Sequence, residues 1–237
     1  MHHHPIAHIL VSILILSIAA CQSDNMKRYE VRKADRPVQL SGMGTDQIWE
    51  SAVALSDFTF PWRSETAPAT TFRALWDDNH FYFLYRALDP EIISKQEGLG
   101  ERDVVDSDRV EIFFKADDRM DPYHALEMDA LGRVLDTKGI YYRNVDYDWD
   151  WPDGHLQLKA STDADGYWVE GSISLESLRQ LGLYQDDHLL KAGLFRGDYR
   201  RVDKDETEVR WISWVMPDSE KPDFHIPSSF GELLLVE

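Results

Sequence analysis

Cysteine is nearly absent: the chain has one, Cys21, in 237 residues, so no disulfide forms within it. Basic residues are scarce beside acidic ones. Lys and Arg number 25 against 43 Asp and Glu, for a formal net charge of −18. A field of that sign repels phosphate backbones and excludes nucleic acid as an expected partner. Long apolar runs are missing apart from one at the N-terminus, which argues against a polytopic helical membrane protein. No G-x-S-x-G, Walker or G-x-G-x-x-G segment occurs, and His80, His124, His155, His188 and His225 lack zinc-ligand spacing. Acids are so abundant that a pair of carboxylates, as glycoside hydrolysis requires, carries no weight. An enzyme is therefore not expected. What is present is 43% hydrophobic and 12% aromatic residues, enough for one domain with a sizeable core.

The single apolar run, Ile6 to Ala20, is 15 residues long. It is short for a bilayer span and matches the h-region of a signal peptide. Leu16-Ser17-Ile18-Ala19-Ala20-Cys21 resembles a bacterial lipobox, which implies cleavage before Cys21 and lipidation of its thiol. Residues 1–20 are then a lipoprotein signal peptide, and residues 21–35, polar and without periodicity, a lipidated tether. Gln22 in place of an inner-membrane retention aspartate implies an outer-membrane lipoprotein of the cell envelope.

From residue 36 to 237 the pattern is that of strands. Thr71–Trp76 alternates, Asp77-Asp78-Asn79 supplies turn chemistry, and His80–Asp89 resumes the β-favouring run. Further strands are expected at 109–115, 123–129, 133–137, 156–161, 167–173, 191–196, 209–215 and 232–236. Short helices are expected at 46–52 and 175–181, the second capped by Ser174. Many short strands without βαβ alternation predict an all-β fold, an antiparallel β-sandwich of immunoglobulin or jelly-roll kind.

An ordered set of segments carries a resemblance: Ile48-Trp49-Glu50-Ser51-Ala52, Ala74-Leu75-Trp76-Asp77-Asp78, Asp108-Arg109-Val110-Glu111-Ile112-Phe113, Leu126-Glu127-Met128, Gly166-Tyr167-Trp168, Phe195-Arg196, Trp211 to Trp214, Phe224-His225-Ile226-Pro227 and Phe230-Gly231-Glu232-Leu233. Together they resemble the carbohydrate-binding module family 9-like domains, a DOMON-related β-sandwich group. The resemblance implies non-catalytic binding of an oligo- or polysaccharide, with aromatic faces against sugar C–H faces and polar groups on hydroxyls. It implies Glu111 as a hydroxyl partner and Phe224 as a stacking ring. Val105 and Glu127 stand where the family has its second aromatic and a sugar-contacting arginine. Arg196 and His225 complete the expected polar pocket. Trp149 and Trp151, in an acidic loop bounded by Pro152 and Gly154, are the candidate platform in place of the second ring.

The family's structural calcium directs attention to Asp103, Asp106 and Asp108, three carboxylates at short spacing. Two other readings stand beside the glycan binder. One is an envelope scaffold or assembly lipoprotein without a sugar site. The other is a haem-binding DOMON-like protein, for which Met128 and His225 are nominal ligands. The favoured reading is a lipid-anchored carbohydrate-binding protein, supporting glycan capture beside degradative enzymes or importer components.

Overall fold

The structure is a computed structural model that describes residues 26–98, 100–185, 187–204 and 206–237. The apolar run and Cys21 lie outside the described residues. Among the described residues twelve strands form: β1 (Arg28–Lys33), β2 (Thr70–Trp76), β3 (His80–Leu88), β4 (Arg109–Lys115), β5 (Tyr123–Asp129), β6 (Val134–Ile140), β7 (Asn144–Asp146), β8 (Leu156–Asp163), β9 (Gly166–Ser174), β10 (Leu189–Arg201), β11 (Thr207–Ser213) and β12 (Gly231–Val236). One helix, α1 (Leu175–Gln180), starts where Ser174 accepts a hydrogen bond from the Ser177 amide, and it buries Leu175 and Leu178. The expected helix at 46–52 is a single 3-10 turn, Gln47–Ser51, capped by Asp46.

All twelve strands join one hydrogen-bonded sheet in the order β7-β6-β5-β4-β10-β12-β1-β2-β3-β9-β8, with β11 pairing the far half of β10. The sheet is mixed, since β1 runs parallel to both β12 and β2. The expected antiparallel sandwich of two sheets is therefore replaced by a mostly-β, curled mixed sheet in the form of a half-barrel. The curl is visible in contacts between strands far apart in the order. Phe81 of β3 meets Phe114 of β4 edge-on at 6.3 Å, and the Tyr85 hydroxyl donates to the Glu111 carbonyl at 3.0 Å.

Strand β1 corrects the expected tether, because residues 28–33 sit in the middle of the sheet. Tyr29 and Val31 point into the core while Arg28, Glu30 and Arg32 face outward. Two apolar residues among charges make a weak alternation, and the parallel pairing on both sides supplies the stability that the local sequence does not. The main core lines the concave face with alternate residues: Val110, Ile112 and Phe114 of β4, Phe81, Phe83 and Tyr85 of β3, and Leu194 of β10. The opposite face of β4, β5 and β10 carries a second buried cluster, Phe113, Tyr123, Phe195, Phe224 and Phe230, covered by the chain that follows β11. The candidate site lies on that covered face.

Candidate functional site

Period-two alternation places Arg109, Glu111 and Phe113 of β4 together on the outer face, beside Tyr123 and Glu127 of β5. Glu111 and Glu127 are directly opposite in register, a pairing of like charges that repels unless a cation intervenes. Arg109 intervenes. Its Nε lies 2.8 Å from Glu111 Oε1 and 2.6 Å from Glu127 Oε2. Both carboxyl groups crowd one nitrogen, and neither makes a linear hydrogen bond to it. Arg109 Nη1 also donates to the Val105 carbonyl at 2.7 Å, and the guanidinium lies 5.2 Å from the Trp211 ring centroid. Gly197 makes room for it, since a Cβ there would stand 3.1 Å from Arg109 Nη1.

Burial pushes the Glu111 carboxyl up to about 8, with Glu127 adding to the shift and Arg109 opposing it. Glu111 is thus a neutral acid near pH 7, both donor and acceptor. The folded-state value lies above the unfolded one, so the stability it contributes is full below about pH 4.5 and is lost as pH rises through about 8. Thermal or urea unfolding from pH 6 to 8 should show the wild type losing roughly 1 kcal/mol per pH unit at most relative to Glu111→Gln, which cannot titrate. Parallel pH profiles for the two proteins would refute the neutral acid.

The other walls come from the segment after β11. Phe224 is stacked on Phe195 at 4.1 Å and 11°. It meets Trp211 edge-on at 5.6 Å and 86°. The two rings make the corner of a cleft rather than the parallel faces of a clamp. His225 Nδ1 lies 2.7 Å from the Tyr123 hydroxyl, and burial, with Arg143 assisting, holds the imidazole down to about 4, so it is neutral. Arg143 and Asp223, paired at 3.1 Å, form the rim. The cleft bounded by these groups is small, with a volume of about 80 Å3, below the usual range of ligand pockets. An apolar corner above a polar floor suits a small polyhydroxylated ring.

Of the expected binding residues, Glu111, Phe224 and His225 line this cleft together. Arg196 does not. On β10 it pairs with Val110 while Phe195 pairs with Glu111, so alternation sends Arg196 to the opposite face of the sheet. There it is fully buried, bonded to Asp89 Oδ2 at 2.9 Å and Asp198 Oδ1 at 2.8 Å. Trp149 and Trp151 do not line the cleft either. Trp151 is 4% exposed and packs in the main core near Phe114, its amide donating to Asp136 and its Nε1 to Ser177 Oγ at 3.1 Å. Trp149 packs against His124, the ring centroids 4.7 Å apart and the planes tilted by 53°. The acidic loop is thus drawn inward by Asp136. Arg109, Trp211, Arg143 and Asp223 line the cleft without having been singled out for it. The signal for Trp211 was its alternation with the buried Ile212 in β11.

Asp103, Asp106 and Asp108 do not converge on one cation position. Asp103 is buried within 3.5 Å of Arg133. Asp106 is exposed and pairs with Lys95 at 2.7 Å. Asp108 accepts from the Ile93 and Tyr199 amides at 2.6 and 2.7 Å. Burial, with Asp89 nearby, pushes Asp108 up to about 7. Asp108 does meet Asp89 and Asp198 within 4.8 Å, but Arg196, Arg200 and Arg210 already bind the last two. Guanidinium groups there satisfy the oxygens that calcium needs, so this cluster does not fit that ion. A second group, Glu101, Asp136 and Asp150, brings three carboxylate oxygens within 4.8 Å of one another, fewer than the about six to eight oxygens calcium takes.

The family model described as carbohydrate family 9 binding domain-like matches residues 40–237, and the chain belongs to that family of binding modules. No curated protein matches the chain significantly. Among solved structures, a Bacteroides uniformis ATCC 8492 protein proposed to bind carbohydrate shares the fold at a TM-score of 0.69 and 18% identity, over 89% of this chain and 100% of the other. A family 9 module of Caldicellulosiruptor kristjanssonii with bound cellotriose aligns at a TM-score of 0.60 and 20% identity, over 88% and 93%. The glucose complex of a module from the same organism aligns at 0.58 and 21%, over 89% and 96%.

Proposed function

We propose that the protein is a non-catalytic carbohydrate-binding module that holds a neutral glycan in the Glu111 cleft. The observation that carries the reading is one arrangement: a neutral buried acid, a neutral imidazole and a guanidinium converge below an aromatic corner, in a fold belonging to a family of binding modules. Hydroxyls are amphoteric, so Glu111 serves one as donor and a neighbour as acceptor, while Arg109 donates only. The Arg109 guanidinium already faces two carboxyl groups, which favours an uncharged sugar over a uronic acid in a protein of charge −18.

The module's place is part of the same proposal. Lipid on Cys21 would hold it at the outer membrane, with the cleft presented to glycan beside degradative enzymes or an importer. Loss of palmitate labelling in Cys21→Ser tests the anchor, and unchanged labelling removes it. For the cleft, the test is a glycan panel by calorimetry that includes glucose and cellotriose, with and without chelator. The expected result is saturable binding to a defined neutral glycan, lost in Arg109→Met. Silence across the panel from folded protein would return the weight to an envelope scaffold without a sugar site.

A further inference from the structure

The cleft does not end at its rim. Arg143, Pro222 and Asp223 also line a second, shallower cleft, with a volume of about 520 Å3, whose other walls include Tyr142, Glu220 and Lys221. Tyr142 is 58% exposed, an unusual setting for a large ring with no part in either buried cluster around the cleft. Yet it is held in one orientation. Its hydroxyl donates to Asp223 Oδ2 at 2.7 Å, and Tyr141 meets its ring edge-on at 5.3 Å. The same Asp223 accepts from Arg143 and from the His225 amide, so one carboxylate ties the inner cleft to the outer ring. Arg143 holds this position with φ at 57°, a left-handed backbone that costs a non-glycine residue energy and persists where surroundings require it.

Resting on the glycan reading of the inner cleft, we propose that the outer cleft is a second sugar subsite. Tyr142 there stacks on the ring next to the one seated against Glu111, and Lys221 and Glu220 meet its hydroxyls. The ligand is then a chain of at least two neutral pyranoses. An exposed aromatic already fixed by a hydrogen bond loses little freedom on stacking, which is what makes it an effective platform. The ring buries little surface, and Arg143 reaches Asp223 directly rather than through it.

Calorimetry of the full chain with glucose, cellobiose and cellotriose tests the subsite. In the wild type, cellobiose should bind about tenfold more tightly than glucose, the equivalent of about 1.4 kcal/mol, with cellotriose within about twofold of cellobiose. Tyr142→Ala should bring cellobiose to within about twofold of glucose, with the glucose constant moving by less than that. Tyr142→Phe, which keeps the ring and loses the bond to Asp223, should retain most of the gain. Equal binding of glucose and cellobiose by the wild type overturns the subsite while leaving the inner cleft intact. A loss shared equally by both sugars in Tyr142→Ala also overturns it, because Tyr142 then acts only by positioning Asp223. Binding of none of the three overturns the glycan reading and the subsite with it.

Discussion

Arg196→Met is expected to lower the thermal midpoint by roughly 6–20 °C while leaving the Glu111 cleft intact in whatever fraction stays folded. Arg196 is fully buried and bonds Asp89, Asp198 and the Leu88 carbonyl. Arg200 and Arg210 reach the same two carboxylates from more exposed positions. Removing one partner of a buried ion pair costs about 3–5 kcal/mol, because the remaining charge has no water to replace it. In a domain of this size each kcal/mol is worth about 2–4 °C. Circular-dichroism melts measure the midpoint, and calorimetry at low temperature measures glycan binding. An unmoved midpoint with lost binding would put Arg196 back among the ligand contacts.

Phe224→Ala should lose both stability and glycan binding, which makes it a poor test of stacking by itself. The sequence alone suggests a surface platform whose removal shifts the melt by a few degrees. The structure shows a ring 5% exposed, stacked on Phe195 and also meeting Trp211 and Trp62. Emptying that volume costs about 3–5 kcal/mol. Phe224→Leu separates the two roles: it keeps most of the volume, with an expected cost below about 1.5 kcal/mol, and loses the aromatic face. Glycan affinity should then fall about tenfold, the scale of one aromatic contact. Wild-type affinity in Phe224→Leu would mean that the ring is only a wall.

The strands that were legible are those where alternation and turn chemistry agree. The pair β2–β3 around Asp77-Asp78-Asn79 is one, since the Asp77 side chain accepts from the amides of Asn79 and His80 and closes the turn locally. Strands β4, β5 and β9 and the Ser174-capped α1 are others, because each carries its own period or cap. Strand β1 was not legible, as its place depends on parallel partners some forty and two hundred residues away. The joining of all strands into one curled sheet has the same cause. Pairing order is a property of contacts between distant segments, and local periodicity carries no record of it.

The site divides along the same line. Composition and alternation by themselves determined that the charge disfavours nucleic acid and that the fold is mostly β, while the resemblance to the family 9-like modules grouped Glu111, Phe224 and His225. Register decided the rest. Arg196 and Glu111 sit on strands that are neighbours, yet a one-residue offset in pairing places them on opposite faces. Trp149 and Trp151 look like an exposed platform in sequence, but Asp136 of β6 captures the Trp151 amide and turns the loop into the core. Asp103, Asp106 and Asp108 are close in the chain, but each faces a different partner once the strands around them are placed. Side-chain chemistry is written locally, whereas direction and companionship are set by which distant backbones the strand binds.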